Sequence, residues 1–200
     1  MKRLMLFAVW AVGASVNLPA AMLDLAGTDM TVSDVTTLAS YDGVTNSSAT
    51  AATLTFNIAD DQAYDMTIGG NLMLAKTGVG TLSLGKADRT FTGGTTVSQG
   101  KLVLATDNAK ALGTGTVTVA DGATLDFNGA FSTAHGAISS VYAAGTGVDG
   151  SGALVNTGAA HVNKYLTSSG ALYLTGDLLV NIHSRLDLAN IYPQGHTFRL

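Results

Sequence analysis

The chain has 200 residues, 46% hydrophobic and only 12% charged, with a formal net charge of −4 and no cysteine. Disulfides and thiolate metal sites are therefore excluded, and no basic stripe exists to neutralise phosphates, so no nucleic-acid partner is expected. All 14 acidic residues are aspartate, while threonine occurs 26 times and glycine 24 times. Residues that fill exposed helix faces are scarce, whereas strand formers and turn formers abound. The composition predicts an all-β protein.

Taken in chain order, Met1-Lys2-Arg3 is a short basic start, Leu4 to Val16 is apolar, and Asn17-Leu18-Pro19-Ala20-Ala21 is a helix-breaking, small-residue end. This layout predicts a secretory signal peptide over 1–21, a signal helix cleaved near Ala20 or Ala21. The apolar run is shorter than the roughly 20 residues a membrane-spanning helix needs. Residues 22–65 read as a less regular N-terminal β segment or cap, with one alternating strand at Thr53 to Ile58 and a turn at Ala59 to Gln62.

Residues 66–200 read as repeats. A glycine, a small or polar residue and then alternating apolar positions recur, led by Gly80, Gly100, Gly122, Gly152 and Gly170, at spacings of 20, 22, 30 and 18 residues. A period near 20 with two or three short strands per period predicts a β-solenoid, in which no coil buries its apolar stripe alone but stacked coils do. Leu82, Leu84, Leu102, Leu104, Leu125 and Phe127 are expected to point inward. Ser83, Thr124 and Asp126 are expected to face water. Val103 breaks the alternation, which predicts a covered face there. Gly80, Gly93, Gly94 and Gly100 are expected at corners. Coils of about 20 residues would give about eight or nine turns and a rod of roughly 40 Å.

The stretch Leu74 to Leu84 (LAKTGVGTLSL) followed by Phe91 to Leu102 (FTGGTTVSQGKL) resembles the autotransporter-associated β-strand repeat, or passenger-associated transport repeat. Lys76, Gly78, Gly80, Leu82, Leu84, Gly93, Gly94, Thr95, Val97, Gly100 and Leu102 carry the resemblance, which covers residues 72–127. Asp88-Arg89-Thr90-Phe91 stands where the family has Asn-Thr-Tyr, and Lys110 is inserted before Ala111-Leu112-Gly113. The resemblance implies a right-handed parallel β-helix in a secreted or surface-displayed passenger, and a repeat that helps the passenger cross or fold outside the outer membrane. It also implies a β-barrel translocator or the outer-membrane surface as partner, in a Gram-negative-type bacterium. Complete members end in a transmembrane β-barrel. The 200 residues hold none, so a fragment, a stand-alone repeat protein and a chain held by a partner all remain open.

No catalytic, cofactor-binding or metal-binding residue is assigned, and no enzyme is expected. His135, His161, His183 and His196 lack metal-ligand spacing. Asp60-Asp61 is the lone acidic pair, and adjacent residues of a strand point to opposite faces, so it reads as a solvated turn. Asp107-Asn108, Asp121-Gly122 and Asp149-Gly150 are turn dipeptides, and Gly145 to Gly150 is a coil junction without the βαβ context of a nucleotide loop. Arg89, Arg185 and Arg199 are too dispersed for the acid–base groove of a β-helix polysaccharide lyase or hydrolase. Trp10 lies in the expected signal and the six tyrosines look scattered, which disfavours an aromatic ladder for sugars. The expected function is a structural, adhesin-like solenoid that aids export and folding. A module for host or matrix glycans is the alternative, and a lyase or hydrolase fragment the more remote one.

Overall fold

The computed structural model describes residues 21–85, 89–105, 111–129, 140–158, 171–183, 186, 188 and 190–200. The expected signal peptide (all but Ala21), His135, His161, Asp107, Lys110 and Arg185 lie outside the described residues. The strands in chain order are β1 (Met22–Asp24), β2 (Met30–Val32), β3 (Gly43–Asn46), β4 (Ala52–Asn57), β5 (Gln62–Tyr64), β6 (Thr67–Gly70), β7 (Leu72–Thr77), β8 (Thr81–Leu84) and β9 (Thr95–Val97). They continue as β10 (Gly100–Leu104), β11 (Val117–Val119), β12 (Ala123–Asp126), β13 (Val141–Gly145), β14 (Leu154–Asn156), β15 (Ala171–Ile182), β16 (Asn190–Tyr192) and β17 (Phe198–Arg199). Among the described residues there is no α-helix, only 3-10 turns at Val35–Leu38 and Val148–Gly150.

The protein is a parallel β-solenoid of about 7 turns, with about 22 residues per coil. Coils are longer and fewer than a strict 20-residue period gives, because the connections on one side of the later coils lengthen. Leu54 pairs with Leu74, Leu74 with Thr95, Thr95 with Val117, Val117 with Val141 and Val141 with Leu172. One side of the solenoid is β2-β4-β7-β9-β11-β13-β15. A second is β5-β8-β10-β12-β14-β15, and the long β15 belongs to both. A third side, β1-β3-β6, is extended by a parallel bridge from Ile68 to Arg89. These ladders start at Met22, so residues 22–65 are built from coils like those that follow.

The inward rungs are apolar, as the alternation requires. Leu82, Leu84, Leu102, Leu104, Leu125 and Phe127 are buried, and with Leu54, Phe56, Leu74, Val97, Val119 and Val180 they form one continuous core. Corners need glycine for two distinct reasons. Gly100 takes φ +67, and a Cβ there would also lie 2.6 Å from the Gly80 carbonyl oxygen. Gly93 has an ordinary φ, but a Cβ would lie 2.7 Å from the Leu72 oxygen in the preceding coil.

Two expectations about the outer face fail. Thr124 and Asp126 do not face water: both are buried. The loop after β13 folds over β12, so that Thr124 Oγ1 donates to the Gly152 oxygen at 2.9 Å and accepts from Val148 N at 2.9 Å. Asp126 pairs with Lys101 at 2.9 Å and accepts from Thr157 Oγ1 at 2.8 Å and from Asn128 N at 2.8 Å. Alternation within one strand cannot report a loop that returns over it about a coil later. Val103, paired with Asp126, is half-buried, in keeping with a covered face.

Candidate functional site

Two basic side chains occupy inward positions. Lys76 stands in register with Phe56 and Val97, where neighbouring coils are apolar. Its ammonium turns to the corner and donates to the carbonyls of Thr77 (2.8 Å), Gly78 (2.8 Å) and Gln99 (3.2 Å), joining its own coil to the next. Burial pushes its pKa down to about 8, with Asp61 acting in the opposite sense. Arg89 follows Ile68 on the third side and is fully buried. It donates to the carbonyls of Gly85 (2.8 Å) and Tyr64 (3.1 Å). Burial lowers its pKa to about 10, which leaves it charged at neutral pH, and burial raises the Tyr64 phenol to about 12. Both cations have no opening to solvent, so they brace the fold.

Several aspartates are staples between coils. Asp29 accepts from Thr53 N at 2.7 Å, Asp61 from Thr81 N at 2.9 Å and Asp177 from Thr197 N at 2.8 Å. Asp24 accepts from Ser47 N at 3.0 Å and from Ser47 Oγ at 2.5 Å. Each partner lies one coil further on. The short aspartate stem reaches a rung about 4.8 Å away with few rotamers to fix, which favours aspartate over glutamate at these positions. Asp60-Asp61 is thus a corner with a structural carboxylate. His183 and His196 are exposed. Among the described residues no three His, Cys, Asp or Glu side chains converge as metal ligands would.

The reading of the tyrosines as scattered is corrected. Tyr142, Tyr173 and Tyr192 share one register column of consecutive coils. Their rings stack with centroids 5.0 and 4.9 Å apart and interplanar angles of 14° and 13°. The sequence separations, 31 and 19 residues, hide this column because one coil carries a long connection.

Beside the ladder, the strand pairing is interrupted. Ala143 pairs with Leu174, yet Gly145 pairs with Leu178, so Thr175, Gly176 and Asp177 bulge outward. The bulge opens a groove of about 500 Å³ floored by Ala144, Gly145 and Gly176 and edged by Asp121, Thr146, Thr175 and Asp177. A second hollow of about 180 Å³ shares Thr146 and Asp177 and adds Arg199. Gly145, at φ +93, is required here: a Cβ would collide with the Asp121 carboxylate and lie 2.7 Å from Asp121 Cα. The Asp177 carboxyl is held below its ordinary value, first by the Thr197 N–H and then by weaker contributions that include His196 and Arg199. Asp121, Gly145 and Arg199 were visible in the sequence as turn or isolated residues; only the bulge brings them together. Among the described residues, no helix is long and apolar enough to cross a membrane. Comparison with protein-family models, with curated proteins and with solved structures gives no match.

Proposed function

We propose that the protein is an exported structural solenoid, a passenger-like rod that folds coil by coil and displays its lateral faces outside the cell. The observation that carries this reading is the stack of parallel rungs from Met22 to Ile191, sealed by one continuous core and stitched by aspartates between coils. Such a stack adds stability coil by coil through nearest-neighbour contacts. The basic start and apolar run before Ala21 support export, and the resemblance of residues 72–127 to the autotransporter-associated repeat supports a surface-displayed passenger. The bracing roles of Lys76 and Arg89 favour a scaffold over a catalyst.

Expression of the full chain in a Gram-negative host tests both halves. The expected product is released across the inner membrane with a new N terminus near Ala20 or Ala21, and resists limited proteolysis over residues 22–200. Retention in the cytoplasm with Met1 intact removes export. Digestion as fast as that of an unfolded chain removes the rigid rod. Cleavage of a polysaccharide, lost on replacing one aspartate, removes the scaffold reading.

A further inference from the structure

We propose that the groove at the β15 bulge binds a neutral oligosaccharide. The groove is wide enough, at about 500 Å³, for two or three sugar rings. Its small lining residues Ala144, Gly145 and Gly176 let a ligand approach the backbone closely. Its edges supply hydroxyls from Thr146 and Thr175 and carboxylates from Asp121 and Asp177, and the adjoining hollow supplies the Arg199 guanidinium. Acceptor-only carboxylates in the groove and a donor-only guanidinium in the hollow beside it match the paired donor–acceptor hydroxyls of a sugar.

Charge disfavours an anionic ligand. Two carboxylates repel an anionic polymer. Arg199, in the adjoining hollow, offsets part of that negative charge, and the spermidine control tests the cation. The mixed hydroxyl, carboxylate and guanidinium lining fits a neutral, hydroxyl-rich ligand. The apolar part of the groove is Ala144 with the backbone of Gly145 and Gly176. Tyr142 and Tyr173 lie two residues before Ala144 and Thr175, so their stack stands next to the groove along the strands without lining it. Bulges of this kind commonly re-aim side chains at sites. The inference stands apart from the export reading: a chain that is never exported would keep the groove, and an exported rod would survive without a ligand.

The test uses the full chain, titrated with maltotriose, cellotriose and chitotriose and followed by calorimetry and by backbone amide NMR shifts. Trigalacturonate serves as the anionic control and spermidine as the cationic one. At least one neutral trisaccharide should bind saturably with a Kd of about 0.1–1 mM, with shifts centred on residues 144–146 and 175–178. Asp121→Ala should weaken it tenfold or more. Asp177→Asn, which keeps an oxygen to accept from Thr197 N, should weaken it at least threefold with the thermal midpoint unchanged at pH 7. No binding of any neutral trisaccharide at 10 mM overturns the proposal, and so does binding only of trigalacturonate or spermidine. Neutral binding that neither variant alters twofold, or whose shifts fall elsewhere, overturns the assigned groove.

Discussion

Lys76 shows how one residue can serve a fold at an electrostatic cost. Its ammonium is fully buried and meets carbonyl oxygens, with no carboxylate among its hydrogen-bond partners. The folded chain releases its proton at about 8, the unfolded chain near 10.5. Between those values the unfolded state holds more protons, so stability rises with pH; below about 8 the full cost is present. The thermal midpoint of the wild type, referenced to Lys76→Met, should therefore climb from pH 8 to 10. A flat difference between the two proteins would mean that the ammonium is better solvated than its burial implies. Tyr64 acts in the opposite sense only above about 10, because burial raises its pKa to about 12. The sequence singled out Lys76 as a repeat position, but not as an inward one. An isolated basic residue in an alternating strand looks the same on either face.

At the scale of the element, strand register decides most. The tyrosine ladder exists because β13, β15 and β16 stack in register. Aromatic pairs contribute about 0.5–1.5 kcal/mol each beyond buried area. Tyr173 makes two such contacts and its neighbours one each. Tyr173→Ala should thus cost about 1–3 kcal/mol, measured by denaturant unfolding, roughly twice the cost of Tyr192→Ala. Tyr173→Phe should be nearly silent. Equal losses for Tyr173→Ala and Tyr192→Ala would show that the stack carries little energy. The inward leucines of β8, β10 and β12 were legible from period-2 alternation, since each strand reports its own pleat. The burial of Thr124 and Asp126 was not, because the loop that covers them joins from residues 146–157, about a coil later.

For the whole molecule, the recurring device is the aspartate that reaches one coil onward. Hydrogen bonds from Ser47, Thr81 and Thr197 hold the Asp24, Asp61 and Asp177 carboxyls below their ordinary value. These bonds are complete above the unfolded value near 4 and are lost as pH falls through the lowered folded values. The thermal midpoint should be level from pH 7 to 5 and drop below pH 4. The drop should shrink in the double variant Asp61→Asn, Asp177→Asn, whose amides accept without titrating. An undiminished drop would place acid sensitivity elsewhere. Composition and alternation were enough for the all-β class, the solenoid repeat, the inward leucines and the glycine corners, while the coil proved to be about 22 residues rather than 20. Those depend on pleat and backbone sterics, which act within a few residues. The tertiary structure alone decided the tyrosine column, the bulge groove, the covered face of β12 and the partners of Lys76 and Arg89. Those depend on which residues meet across coils, and connections of unequal length shift that register in a way no local pattern records.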